Sequence, residues 1–185
     1  MGTDAPASPD VHARDDASRH HELAREVASE AGSRLRHVVE DFRDVLVELL
    51  KADARFLIVG AHALGVHGVP RATVDLDVWI DASPGNARRV WLALALFGAP
   101  LEVLAISEAD LAKPDVVVQF GLPPYRIDIL TSVSGVTFEE AWEERVEDLF
   151  GELRVPFVGR AAFIRNKRAS GRAKDLGDLE SLGEA

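Results

Sequence analysis

Apolar positions in this chain fall into two rhythms. In "HVVEDFRDVLVELLKADA" the residues Val38, Val39, Phe42, Leu46, Leu49 and Leu50 recur near every 3.6 positions, which predicts an amphipathic helix. "RFLIVG" (55–60) is a short apolar run ended by glycine, the pattern of a buried strand. "AHALGVHG" predicts a short helix closed by Gly68, with Pro70 beyond it and His67 at its end. "ATVDLDVWI" then alternates, predicting a strand from about 73 to 80. A helix starting near Ser83 and Pro84 and stopping at Gly98 follows, then a short one in "SEADLAK" with Ser107 and Asp110 as a capping box. "DVVVQFG" and "YRIDIL" predict a hairpin, "TFEEAWEERVE" a helix, "LFGELRVPFVG" two more strands, and "RAAFIRNKRASG" and "AKDLGDLESL" two closing helices.

This irregular order of helices and strands predicts an α+β fold, a mixed sheet flanked by helices rather than a doubly wound parallel one. Residues 1–20, rich in Ala, Asp, Ser, Pro and Arg without period, are expected to be a disordered leader. Helical pattern begins near His21, with Gly32 as a weak point. Residues 21–185 are expected to form one domain, with a core at about 38–150 and a basic, helical C-terminal segment at about 151–185.

The alternating strand has a peculiarity. Val74, Leu76, Val78 and Ile80 share one face, while Thr73, Asp75, Asp77 and Trp79 share the other, so two carboxylates stand side by side. Asp128 has the same setting between Ile127 and Ile129. If the two strands are neighbours, three acids meet. At ~5 Å and an effective dielectric of ~20, each like-charge pair costs about 3 kcal/mol. Such a trio takes up protons or holds a cation. All-oxygen ligands suit Mg²⁺ or Mn²⁺, and two such ions form the usual clamp for in-line phosphoryl transfer. The bland alternative for the pair alone is the solvated face of an edge strand. Asp81 lies too far along to share an ion and reads as a turn residue. Trp79 either stacks on a base or covers the sheet.

Ahead of the acids, "IVGAHAL" joins strand, Gly60 and helix, a place where backbone approaches an anionic ligand closely. In this combination the sequence resembles the polymerase-beta-like nucleotidyltransferase superfamily. Its signature is an apolar residue, Gly and a small residue, then a gap, then Asp, apolar, Asp or Glu, apolar. The chain reads Val59, Gly60, Ala61, thirteen residues, Asp75, Leu76, Asp77, Val78. A later-strand Asp of that signature matches Asp128. The chain is most similar to small bacterial members, of the minimal and abortive-infection-toxin type. The likeness adds Arg71 and Thr73 before the paired acids, and "NKRASGRAKDLGDLE", with Lys167, Arg172, Lys174, Asp175 and Asp178, near the end.

The resemblance implies a nucleotidyltransferase fold with C-terminal helices, and an enzyme moving NMP from an NTP to a hydroxyl acceptor with two Mg²⁺ or Mn²⁺ ions. Asp75, Asp77 and Asp128 would be the catalytic metal ligands. Gly60, Ala61, His62, Arg71, Thr73, Lys167 and Arg172 would bind nucleotide. RNA ends, small molecules and proteins all stand as acceptors, and a cognate partner protein fits a toxin–antitoxin or phage-defence setting. The glycine turn departs from the family in having Ala61, His62 and Ala63 where Ser is frequent. His62 either donates to a phosphate instead or packs on the sheet. That departure supports an alternative, a catalytically weak nucleotide-binding or regulatory module of the same fold. Asp175 and Asp178 read as a helix cap and a surface acid, or as groups that bind an acceptor or orient the basic residues.

Charge sharpens this picture. The formal net charge is −10, which argues against a general nucleic-acid coat, yet Arg154 to Lys174 holds seven basic residues and no acid. That stretch suits a polyphosphate or an RNA end; alternatively it is a solvated face paired with the acidic run just upstream. No cysteine is present, which excludes disulfides, thiolate zinc sites and a cysteine nucleophile. No apolar run is long enough to span a membrane, the first twenty residues lack the apolar core of a secretory signal, and the expected location is the cytoplasm.

Overall fold

Phe56–Ile58 form strand β1, and all three residues are fully buried at the middle of the sheet. The computed structural model describes residues 40–184, of which 41 onward belong to one compact unit. The expected leader at 1–20, the helical pattern from His21, the break at Gly32 and the domain boundary at 21 lie outside the described residues. Helix α1 covers 40–51 and turns Phe42, Val45, Leu46 and Leu49 inward, as its period predicts.

Six strands follow the order β3-β4-β2-β1-β6-β5: β2 is Asp75–Ile80, β3 Val117–Phe120, β4 Arg126–Leu130, β5 Val146–Phe150 and β6 Leu153–Phe157. The sheet is mixed. β2 pairs with β4 in parallel and with β1 antiparallel, and β6 runs parallel to β1. β3–β4 and β5–β6 are antiparallel hairpins. Helices α2 (Gly60–Val66), α3 (Pro84–Phe97), α4 (Glu108–Leu111), α5 (Phe138–Glu143), α6 (Arg160–Ser170) and α7 (Ala173–Ser181) flank it, giving the α+β class.

Local chemistry sets several boundaries. β2 begins at Asp75 rather than 73 because the Thr73 hydroxyl accepts from the Asp75 N–H, at 3.2 Å, and bends the entry. Asn86, buried at the start of α3, accepts from the Arg55 N–H and donates to the carbonyls of Arg55 and Asp81, tying the helix to β1 and β2. The Ser107–Asp110 capping box forms as expected. Helix α5 is shorter than its pattern predicts. It stops at Glu143, and Val146 and Glu147 enter β5 instead, because pairing with Phe157 and Pro156 of β6 outweighs local helix preference. Likewise the segment from 151 is not helical throughout: it opens with β6, the neighbour of β1.

Helix α6 is seated by a close approach at its N-cap. A Cβ on Gly159 would overlap the Glu144 carbonyl oxygen and lie 2.9 Å from its carbon, although the backbone φ of −66° suits any residue. Gly177, inside α7, has open space where its Cβ would be. Gly159→Ala is therefore expected to lower stability by ~1–3 kcal/mol, and Gly177→Ala to raise it by ~0.5–1 kcal/mol. Urea unfolding midpoints of the two variants check both signs.

Candidate functional site

Parallel pairing of β2 with β4 puts Asp77 directly opposite Asp128 and Asp75 opposite Arg126. Neighbouring strands lie roughly 4.8 Å apart, so the two facing carboxylates share one small region. Gly60, at the start of α2, lies over Asp77: its φ is +64°, and a Cβ there would collide with Asp77 Oδ2 and stand 2.9 Å from Asp77 Cγ. Only glycine fits, both for backbone conformation and for space.

These groups line a cleft of about 550 Å³. Of the residues singled out from the sequence, Gly60, Ala61, Arg71, Thr73, Asp75, Asp77, Asp128, Lys167 and Arg172 all face it. His62 does not. Its ring stands edge-on to Phe42 and Phe150, and burial pushes the imidazole pKa down, against an opposing pull from the Asp75 backbone. Trp79 is also buried, edge-on to Phe138 of α5, and so covers the sheet. Asp81 is a turn residue, holding the Ser83 N–H and Arg55.

The acids differ in their surroundings. Asp77 has its pKa raised, first by burial, then by the charge of Asp128, with Asp75 adding to it and Lys174 and Lys167 opposing it. Asp128 is buried; its Oδ2 accepts from Gln119 Nε2 at 3.0 Å, while among the described residues its Oδ1 has no hydrogen-bond partner. Asp75 is turned aside into Arg126, which grips both its oxygens at 3.0 and 2.8 Å. Accordingly, the described residues contain no group of three acidic, His or Cys side chains arranged to hold a metal ion. As donors for a hard divalent ion, Asp77 and Asp128 fit: both are carboxylates, they face each other, and one oxygen is orphaned. Asp75 fits once Arg126 leaves it.

Opposite the acids the cleft is cationic, and the geometry there departs from the sequence reading. Lys167 is itself buried and gives its ammonium to Asp175 at 2.6 Å and Asp178 at 2.8 Å. Arg71 holds Asp178 at 3.0 Å, and Arg172 holds Asp175 at 2.6 Å. Asp175 and Asp178 are thus neither cap nor surface acid. They are buried hubs joining α6, α7 and the approach to β2, and the N-cap of α7 is Arg172. Burial alone would raise the Asp175 carboxyl, but hydrogen bonds from Arg172 and Lys167 more than offset it and hold it down at about 2. A signal existed in the three-residue spacing of Asp175 and Asp178, which puts both on the face that carries Leu179. Lys174, the remaining cation, has no ion pair among the described residues and acts on Asp77 through its field.

A scan of known protein families finds no match to this chain, and a search of curated proteins finds none either. Among the described residues no helix is long and apolar enough to cross a membrane.

Two outcomes follow from the charges. Lys167→Met removes the buried ammonium that Asp175 and Asp178 share, leaving each only a more exposed arginine, and is expected to cost ~3–5 kcal/mol, whereas Arg172→Met, at a side chain 63% exposed, costs ~1 kcal/mol or less. Because the Asp175 pKa is depressed, its stabilising contribution is complete above pH ~4 and is lost as pH falls toward ~2; Asp175→Asn flattens that limb in acid-unfolding curves. Asp77 works the other way. Its raised pKa makes ionisation a burden that grows as pH rises through its range, so Asp77→Asn is expected to stabilise the metal-free protein near neutral pH by ~1–3 kcal/mol. Melting in chelator reads this directly.

Proposed function

We propose that this chain is a metal-dependent nucleotidyltransferase with a polymerase-beta-like fold, transferring NMP from a nucleoside triphosphate to a hydroxyl acceptor. The observation that carries the reading is the register of Asp77 opposite Asp128, beside a glycine whose backbone lies on Asp77. With Asp128 buried and Asp77 half-buried, holding both carboxylates charged costs about 3 kcal/mol, which favours a cation between them.

Asp77 and Asp128, joined by Asp75, would hold the divalent ions. When bound, these supply charge neutralisation and a lowered pKa at an acceptor hydroxyl. The chain's own groups divide the remaining work. Gly60, having no side chain, lets the Asp77 carboxylate lie against the turn at the edge of the cleft. Lys174, with the outer edges of Arg71 and Arg172, faces the acids across the cleft and stabilises charge that develops on the phosphates. Asp128 Oδ1, without a partner among the described residues, accepts the proton of the acceptor hydroxyl. The hydroxyl oxygen bonds to the α-phosphorus, the bond to the bridging oxygen breaks, and pyrophosphate leaves. Acceptors of the three classes named above all present the required hydroxyl.

A second reading has one specific observation in its favour. Asp75, Lys167 and Arg71 are each engaged within the protein rather than free for a ligand, which suits a module that binds nucleotide and turns it over weakly or not at all.

Incubation with each α-labelled triphosphate, Mg²⁺ and total RNA or lysate is expected to give label transfer, reduced ~10²-fold or more by Asp77→Asn. Robust transfer by that variant removes the assignment of Asp77. Metal-dependent triphosphate binding by calorimetry without any transfer selects the binding module.

A further inference from the structure

Arg126 sits where an acidic site needs a cation. It is the register partner of Asp75, and its planar fork takes both Asp75 oxygens in parallel, Nε at 3.0 Å and Nη2 at 2.8 Å. One step of two residues along the same strands, Asp77 and Asp128 face each other without such a partner: among the described residues neither forms an ion pair, and one oxygen of the buried Asp128 has no hydrogen-bond partner. The strands therefore carry two acidic steps, one closed by a guanidinium and one left open.

The closure is of a kind that exchanges. Arg126 is 48% exposed at the cleft mouth, so its guanidinium has solvent on one side and room to swing. Its bidentate geometry puts it among the stronger surface pairs, yet solvent screening keeps even these within reach of a competing ion.

We propose that Arg126 is an exchangeable counter-ion of the carboxylate site: it closes Asp75 while the site is empty, so that Asp75 becomes a third oxygen ligand only when the guanidinium swings off it. This rests on the metal-site reading above. It makes Arg126 a positioning residue that sets the threshold for cation loading. The freed guanidinium stays in the same cleft, where an anionic ligand draws it further from Asp75. Loading of the cation and of a polyphosphate are then linked, each favouring the other through one side chain.

Mn²⁺ binding to the full chain, followed by calorimetry or electron paramagnetic resonance with no nucleotide and no acceptor, tests this. Arg126→Gln is expected to bind Mn²⁺ roughly five- to fiftyfold more tightly than the wild type, and Arg126→Lys, which keeps charge but loses the fork, to fall between. In an Asp75→Asn background the gain from Arg126→Gln should shrink below about twofold, since the residue acts through Asp75. Equal or weaker Mn²⁺ binding by Arg126→Gln overturns the inference and leaves the metal site standing. So does an undiminished gain in the Asp75→Asn background, which would mean a general effect of charge. No Mn²⁺ binding by either protein removes the metal site itself and this inference with it.

Discussion

Everything in the cleft depends on one constraint, the facing of Asp77 and Asp128 across two parallel strands under a glycine backbone. Sheet pairing imposes it. Five consecutive register pairs, from Asp75–Arg126 to Trp79–Leu130, fix the strands, and Leu76, Val78, Ile127 and Ile129 are buried on their other face. A slip of one residue would turn those apolar side chains to the cleft and the acids to the core. The apolar face thus locks the carboxylates into opposition, and burial together with the facing charge of Asp128 raises the pKa of Asp77.

Cations around the cleft are arranged in two tiers. Lys167 is buried and locked by two carboxylates, and Arg71 and Arg172 approach the same two from outside. A buried pair like this contributes little net stability but is costly to break, so it works as a fixed joint between α6, α7 and the residues leading into β2. Arg126 and Lys174 form the adjustable tier, one on an exposed pair and the other without a partner among the described residues. The fixed tier holds the cationic wall in place; the adjustable one answers to what enters.

Legibility in the sequence follows the same division. Alternation on 74–80 and around Asp128 shows which residues share a face, because the period of a strand is local. The helices and the two hairpins are legible for the same reason. Which strands are neighbours is not local. Nothing in "RIDIL" says that Asp128 meets Asp77 rather than Asp75, or that Arg126 meets Asp75. In α7 apolar periodicity misleads outright: Leu176 is 54% exposed while Asp175 and Asp178 are buried. Only the arrival of Lys167 and, from about a hundred residues earlier, Arg71 makes burying those acids possible. His62 shows the reverse. Next to a glycine turn it looks chemical, but tertiary packing against two phenylalanines takes it away.

The missing hydroxyl at the glycine turn finds an answer in the same geometry. Ala61 is buried and lines the cleft with a methyl group, so the turn beside Asp77 offers backbone but no side-chain donor. Thr73 is no substitute, because its hydroxyl is engaged with the Asp75 backbone at 3.2 Å. Across the cleft, however, Ser132 and Ser134 follow β4 and Ser170 closes α6, all lining it. Ser132 donates to Asp115 and Ser170 to Asp175, which leaves Ser134 beside the cationic wall. A side-chain hydroxyl and positive charge therefore lie together on the α6 side, opposite the acids. An anion held there lies across the cleft from Asp77 and Asp128 rather than on the glycine turn, and binding from that wall spares the crowded corner where Gly60 already meets a carboxylate.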